Sequence, residues 1–290
     1  MERPHIPGEL TIRPMAWSDL PFAAACTQAE GWLSEDLTTL QGFWLANPSG
    51  CLVAEVNGAL AGICIATHYG ESGFIGELIV RPEQRGLGLG ATLLNEAVRW
   101  IQQHGARTVY LDGVLKAVGL YERNGFRKVT RSWRYAGKLA GQAHPQVFPM
   151  QAHHLPEVFA LDRKAFGADR SFFLDRRWSL YPELGFVLVE RDQMRGYILG
   201  RRGTGWLSAG PWVADPGVAA PERLLESLAL AAGGMPISLG ILDTHHRACQ
   251  LAESLGLISR PDSPWRMSLG QENDLGASPF CLAVGSAAKG

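Results

Sequence analysis

The chain repeats itself once, and that repeat constrains its fold more than any other feature. Pro14-Met15-Ala16-Trp17-Ser18-Asp19-Leu20-Pro21 is echoed by Pro149-Met150-Gln151-Ala152-His153-His154-Leu155-Pro156, 135 positions later. Gly76-Glu77-Leu78-Ile79-Val80-Arg81-Pro82 is echoed by Gly210-Pro211-Trp212-Val213-Ala214-Asp215-Pro216, 134 later. Leu111-Asp112 recurs as Leu242-Asp243 and Glu122-Arg123-Asn124-Gly125-Phe126 as Glu253-Ser254-Leu255-Gly256-Leu257, both 131 later, and Trp133-Arg134 as Trp265-Arg266, 132 later. Each match alone is weak, but five in one order at nearly one offset describe two copies of one domain. The glycine- and proline-bearing stretch from Gly137 to Pro145 suits a short linker. We therefore read domains at 1–140 and 141–290, which agrees with about 150 residues per domain.

Composition narrows the class. Apolar residues make up 46% and charged residues 19%, enough for each half to bury a core and too ordered for low complexity. With 27 basic and 28 acidic side chains the net charge is −1, which provides no field for phosphate backbones and disfavours a nucleic-acid partner. No apolar run approaches the ~18 residues of a membrane helix. Met1-Glu2-Arg3-Pro4-His5-Ile6-Pro7 lacks the apolar core of a secretory signal. The five cysteines (Cys26, Cys51, Cys64, Cys249, Cys281) are scattered, odd in number and free of CxxC pairs. They read as reduced thiols of a cytoplasmic protein, neither a disulfide frame nor a zinc site. His153-His154 and His245-His246 are adjacent pairs that project to different faces and chelate poorly, so no metal site is expected.

The first copy reads as mixed α and β. Leu10 to Arg13 alternates as a strand, and Ser18 or Asp19 with Pro21 opens a helix. Leu52 to Val56 and Leu60 to Ala66 flank Asn57-Gly58, a strong hairpin signal. Phe74 to Val80 is an apolar strand. After a glycine-rich loop, Leu94, Ala97, Val98 and Ile101 share one helical face. Thr108 to Leu111 is a strand, Val118 to Arg123 a short helix stopped by Gly125, and Phe126 to Tyr135 a closing strand. The order describes an antiparallel meander that turns into a parallel crossover.

The loop Arg85-Gly86-Leu87-Gly88-Leu89-Gly90, between the fourth strand and the long helix, carries the chemistry. Glycines let a backbone curl and approach a ligand with no Cβ in the way. Their amides, with the free N–H groups of the helix start, make an anion cradle. The alternative is a plain flexible turn. Gly86-Leu87-Gly88-Leu89-Gly90-Ala91 also satisfies the dinucleotide pattern GxGxxA, with Asp112 at a ribose-binding distance, as an NAD-binding oxidoreductase would have. Against that reading, Arg81 to Arg85 separate the strand from the first glycine, and a hairpin meander precedes the motif.

The same residues resemble the GNAT superfamily of acyl-CoA-dependent N-acyltransferases. Its pyrophosphate-loop signature, [Q/R]-x-x-G-x-[G/A] after the fourth strand, is filled by Arg85, Gly88 and Gly90. Val80-Arg81-Pro82-Glu83 and Leu120-Tyr121-Glu122-Arg123-Asn124-Gly125-Phe126 are also similar to the family. The resemblance covers roughly Leu10 to Tyr135, and the second copy is similar in pattern to the degenerate GNAT-like domain that follows an active one in some tandem proteins. It implies an α/β (α+β) fold, each copy a mostly antiparallel twisted sheet with flanking helices. It also implies acetyl-CoA as cosubstrate, contacted by Leu78, Ile79, Val80, Arg85, Gly86, Leu87, Gly88, Leu89, Gly90 and Ala91. The implied acceptor is a primary amine of a small molecule or a protein, acting by direct attack in a ternary complex. An asparagine often found before the short helix in the family is missing from Val114-Leu115-Lys116-Ala117-Val118. A CoA-binding regulatory protein that keeps the cradle without turnover is the alternative of a different class.

Acyl transfer to an amine asks for a base, an oxyanion donor and an acid. A primary ammonium has a pKa of ~10, so a base or a water chain must take its proton. Glu77 is the one acid on the strand that leads into the loop, and is either that base, a substrate contact or a solvent-facing strand residue. An ordinary carboxylate in that role would matter most at low pH, where the amine is most fully protonated. The N–H of Leu78 or Ile79 would serve the oxyanion if the strand bulges. Tyr121, four residues before Gly125, lies on the helix that passes the CoA sulfur in GNAT enzymes. Its phenol suits proton donation to a thiolate, packing being the alternative. Cys64 reads as core, Asp112 as a strand end shared with Asp243, and Trp32, Phe43 and Trp44 as pocket wall or core. The second copy has Pro211 at the place of Glu77, Ala252 at that of Tyr121, and Gly217 to Arg223 at that of the loop, so it is expected not to catalyse. Pro279 to Val284 adds a strand there without a counterpart in the first copy.

Overall fold

In the computed structural model the apolar periodicities of the sequence become strands and helices nearly where they are expected. The structure describes residues 8–32, 35–271, 273 and 275–290. The reading of Met1–Pro7 as no leader lies outside the described residues. Along the first copy run β1 (Leu10–Pro14), α1 (Leu20–Ala29), α2 (Leu37–Ala46), β2 (Cys51–Val56), β3 (Ala59–Tyr69), β4 (Ser72–Val80), α3 (Leu89–Gln103), β5 (Thr108–Gly113), α4 (Val118–Arg123) and β6 (Arg127–Gly137). The second copy gives β7 (Val147–Pro149), α5 (Leu155–Phe166), α6 (Ser171–Leu180), β8 (Gly185–Glu190), β9 (Gln193–Gly203), β10 (Trp206–Ala214), α7 (Glu222–Ala231) and β11 (Ile237–Leu242). It closes with α8 (His246–Ser254), β12 (Ile258–Ser259), β13 (Trp265–Gly270) and β14 (Cys281–Ala283). The order of the first copy recurs in the second, as the repeat requires.

The chain divides into two compact units, the first comprising residues 1–128, 267–273 and 289, the second 129–266, 274–288 and 290. In the first, β1 to β4 form an antiparallel meander. Asn57 and Gly58, both at positive φ, turn the β2–β3 hairpin in the left-handed conformation that tight hairpins demand. α3 then carries the chain over to β5, which pairs with β4 in parallel. Leu89, Leu93, Leu94, Ala97 and Ile101 of α3 are buried along one stripe, and α3 lies against β3 and β4. Each fully buried leucine or isoleucine among them contributes about 1.5–3 kcal/mol. The Asp36 side chain accepts from the Thr39 N–H at 2.9 Å and starts α2, a cap worth about 1 kcal/mol.

The closing strand of the first copy forms where expected but pairs elsewhere. Phe126 to Tyr135 reads as the closing strand of the first copy. In the structure β6 instead pairs antiparallel with β11 in the second unit, from Ile237 opposite Gly137 to Leu242 opposite Ser132. The first unit has β13 beside β5. Both strands carry the Trp-Arg pair of the repeat, Trp133-Arg134 in β6 and Trp265-Arg266 in β13.

The second unit repeats the meander in β7 to β10 and the parallel step from β10 to β11, which pair only at Leu207–Ile237 and Ser208–Ser238. Its core gathers Trp212, Leu224, Leu225, Leu228, Ile237 and Ile241. Beyond the short parallel ladder β14 pairs antiparallel with β10, Trp212 opposite Ala283. The N–H of Val284 donates to the Gly240 carbonyl of β11 at 2.8 Å. A segment of the chain thus fills the opening between these two strands. Among the described residues no helix is long and apolar enough to cross a membrane.

Candidate active site

The site is built on a break in β4. The β4–β5 ladder runs from Ser72–Thr108 to Ile75–Leu111 and stops. At that point β4 also slips against β3: Gly76 pairs with Ile65 and Ile79 with Ile63, so Glu77 and Leu78 together oppose the single residue Cys64. An extra residue of this kind bends a strand and increases its twist, which turns β4 away from β5. Glu77 takes the strain, with φ at +50°. The amides of Leu78, Ile79 and Val80 follow on the parted stretch. β10 carries the same slip, Gly210 and Pro211 standing unpaired between Ala209 and Trp212. There the proline has no N–H to offer.

The cradle adjoins this break. A one-turn 3-10 segment, Pro82–Gln84, joins β4 to the loop, and Gly88, at φ +85°, is the N-cap of α3. Gly86 is also left-handed, at φ +80°. The amides of Gly86, Leu87, Gly88, Leu89, Gly90 and Ala91 find no acceptor among the described residues. A Cβ on Gly86 would meet open space, and one on Gly90 would touch only Leu120 and Val80 at 3.6 and 3.7 Å. Unspent donors at a helix start beside open space fit a pyrophosphate. The Arg85 side chain turns back instead: Nε donates to the Val80 carbonyl at 2.8 Å, and the guanidinium pairs with Glu30. Lys116 Nζ lies 2.6 Å from the same Glu30 carboxylate. Burial opposes ionisation of Glu30, but Lys116 and Arg85 hold it below the usual carboxylate range. Arg85 and Lys116 thus share one carboxylate, with the lysine in the segment where the family pattern has asparagine.

Glu77 is more enclosed than the sequence suggests. It is 5% exposed, and its Oε2 finds no hydrogen-bond partner among the described residues. Burial first, then the charge of Glu35, push its carboxyl well above the usual range, with Lys289 pulling the other way. Such a group is a base only once pH passes its raised pKa. Tyr121 of α4 is also buried, its ring edge-on to Phe126. Burial, then Cys64, then Glu77 raise its phenol above the ordinary value, so it stays protonated. Cys64 is fully buried and its thiol is pushed up as well, which leaves it without nucleophilic character.

The remaining sequence candidates resolve individually. Phe43 is buried and has the Lys289 ammonium 4.5 Å from its ring centroid. Trp44 Nε1 donates to the Met15 carbonyl at 2.9 Å. Asp243 accepts from Trp133 Nε1 at 2.8 Å. The described residues contain no cluster of three or more His, Cys, Asp or Glu that could hold a metal. Sequence reasoning missed Glu30, Glu35 and Lys289. No motif marks any of them, and Lys289 lies more than two hundred residues from Glu77 in the chain.

The acetyltransferase (GNAT) family model matches residues 12–126, and a second GNAT-domain model matches residues 158–276. The chain belongs to the GNAT acetyltransferase superfamily. It carries two GNAT domains in tandem and is an N-acyltransferase of a family that takes acyl-CoA and amine acceptors. The putative acetyltransferase of Pyrococcus horikoshii has the same fold over 99% of this chain and 97% of its own, with a TM-score of 0.81 at 22% identity. The holothin acyltransferase of a Pseudoalteromonas strain is 25% identical over 79% of this chain and 78% of its own length. The mycothiol acetyltransferase of Stackebrandtia nassauensis is 32% identical over 47% of each chain. The chain thus spans about half the length of that mycothiol relative.

Proposed function

We propose that the first GNAT domain transfers an acetyl group from acetyl-CoA to a primary amine by direct attack within a ternary complex. The observation that carries this reading is the bulge at Glu77–Leu78, which parts β4 from β5 directly beside a loop of unspent amides. The amides of Gly86 to Ala91 hold the pyrophosphate, with Arg85 fixing the loop. The parted edge at Leu78, Ile79 and Val80 takes the pantetheine arm as a further strand, and the Leu78 or Ile79 N–H steadies the carbonyl oxygen as charge develops on it. Glu77 takes the proton of the ammonium, and Tyr121 gives one to the departing thiolate. The relatives named for holothin and mycothiol favour a small-molecule amine over a protein.

The second domain, within 141–290, does not catalyse in this reading. β14 occupies the place between β10 and β11 that the pantetheine arm takes in the first, Pro211 removes an amide, and Ala252 stands where the first copy has Tyr121. The test is an amine acceptor screen with acetyl-CoA, reading the freed thiol. Acceptor-dependent thiol release supports the enzyme. Tight acetyl-CoA binding with no release across chemically diverse amines would favour the regulatory CoA-binding protein instead.

A further inference from the structure

Glu30 stands at the C-terminal end of α1, where an acid opposes the helix dipole and does nothing for the helix itself. Local sequence fixes it there. Gly31, at φ +73°, ends the helix, its N–H donating to the Gln28 carbonyl at 3.0 Å and the Trp32 N–H to the Thr27 carbonyl at 2.9 Å. This pair of bonds closes a helix at a left-handed glycine. The Glu30 side chain so held is 11% exposed and bridges two cations. Oε1 accepts from the guanidinium of Arg85, the first residue of the loop, and Oε2 from Lys116 Nζ at 2.6 Å. Lys116 lies in the one-turn 3-10 segment Leu115–Ala117, which leads directly into α4 and Tyr121. The strands that precede these two segments, β4 and β5, stop pairing at Ile75–Leu111, so their ladder does not hold the continuations together. The second unit joins the same two segments by other means. Arg247, at the place of Lys116 in the repeat, donates to the Pro216, Val218 and Ala219 carbonyls at 2.9, 2.5 and 3.4 Å.

We infer that Glu30 is a positioning residue for acetyl-CoA, its carboxylate tying the pyrophosphate loop, through Arg85, to the segment that leads to Tyr121, through Lys116. The inference rests on the acetyltransferase reading above. Gly86 and Gly88 are left-handed, and a Cβ on Gly86 would meet open space, so packing does little to hold the loop. Glycine backbone is the costliest to order, and amides that converge on a phosphate bind it best when that cost has been met beforehand. Arg85 meets it at the start of the loop. Its Nε is on the Val80 carbonyl at 2.8 Å, while Glu30 holds the far end of the same guanidinium. A charge-assisted bond to a carboxylate partly shielded from water is stronger than an exposed pair. Glu30 acts through the two cations rather than on the cofactor.

The experiment is calorimetry of acetyl-CoA with the full chain as native protein, as Glu30→Gln, as Arg85→Gln with Lys116→Gln, and with all three substitutions, each also unfolded thermally. The expected result is a Kd about 10-fold higher in Glu30→Gln, the lower end for a hydrogen bond to a charged group. Once both cations are gone, the same substitution should change Kd by less than about 2-fold. A lower Tm with unchanged affinity of the folded chain marks a role in stability alone and overturns the inference. An equal loss in both backgrounds overturns it too. Tighter binding in Glu30→Gln also overturns it, because Glu30 would then compete with the phosphates for the two cations. Where Glu30→Gln does not fold, Lys116→Gln, at an exposed side chain, tests the same tie. Binding about 3-fold weaker supports it, and unchanged affinity overturns it. All these failures leave the acetyltransferase reading intact, whereas a native chain that binds no acetyl-CoA removes both together.

Discussion

The Tyr121 phenol lies within electrostatic reach of the Glu77 carboxyl, and a negative charge on Glu77 helps to keep that phenol protonated. Burial raises both groups, so the Glu77 carboxyl ionises later than an ordinary carboxylate and the Tyr121 phenol keeps its proton through the ordinary phenol range. The proposed base and acid both depend on that burial.

Glu77→Gln should lower turnover by ~10²–10⁴-fold, the usual worth of a general base. Burial reverses the pH dependence that an ordinary carboxylate would give. At low pH Glu77 is itself protonated and the native enzyme is already slow, so the variant should lose most above the raised pKa. Stability carries the opposite sign. A carboxyl whose pKa is raised on folding stabilises fully below its unfolded value and less as pH climbs through the folded one. Thermal unfolding across pH should show the native midpoint falling over that window and Glu77→Gln falling less.

Tyr121→Phe should leave acetyl-CoA affinity unchanged and lower kcat by ~10²–10⁴-fold where chemistry limits the rate. Calorimetry and single-turnover thiol release separate the two. An unchanged single-turnover rate would return Tyr121 to packing.

Gly113→Ala tests the placement of Tyr121 without touching its hydroxyl. A methyl on Gly113 would fall 2.9 Å from the Tyr121 ring and 3.2 Å from the Met267 sulfur, so the ring must shift. Overpacking of this kind costs about 1–3 kcal/mol, and displacement of a catalytic group by about 1 Å costs up to ~10²-fold in rate. The expected outcome is a lower kcat at unchanged acetyl-CoA affinity, with a modest fall in Tm.

Gly88→Val puts a branched side chain at a left-handed N-cap, where the backbone strain alone is about 1–3 kcal/mol. It should abolish acetyl-CoA binding by calorimetry while circular dichroism shows a folded chain. Native stoichiometry should be one acetyl-CoA per chain, with no NAD binding. A second site that survives Gly88→Val would place CoA in the second domain and sink the proposal that β14 closes it.

Much of this protein was set by local sequence. The 131–135 residue repeat gave two copies of one fold because five short matches kept their order. The apolar stripe of α3, the Asn57-Gly58 turn and the glycine loop formed as read, since helix periodicity, left-handed turns and helix caps depend on neighbours a few residues apart. The GNAT signature at Arg85, Gly88 and Gly90 belongs to the same local order. Tertiary structure decided what depends on distant partners. The raised pKa of Glu77, and with it the sign of its pH dependence, comes from burial at a one-residue slip against Cys64 and from the charge of Glu35, neither of which lies near it in sequence. The exchange of β6 and β13 was equally hidden, because both strands carry the Trp-Arg pair and each pairs with an edge far away in the chain. β14 between β10 and β11 required both strands to part first, and strand parting is a property of the assembled sheet.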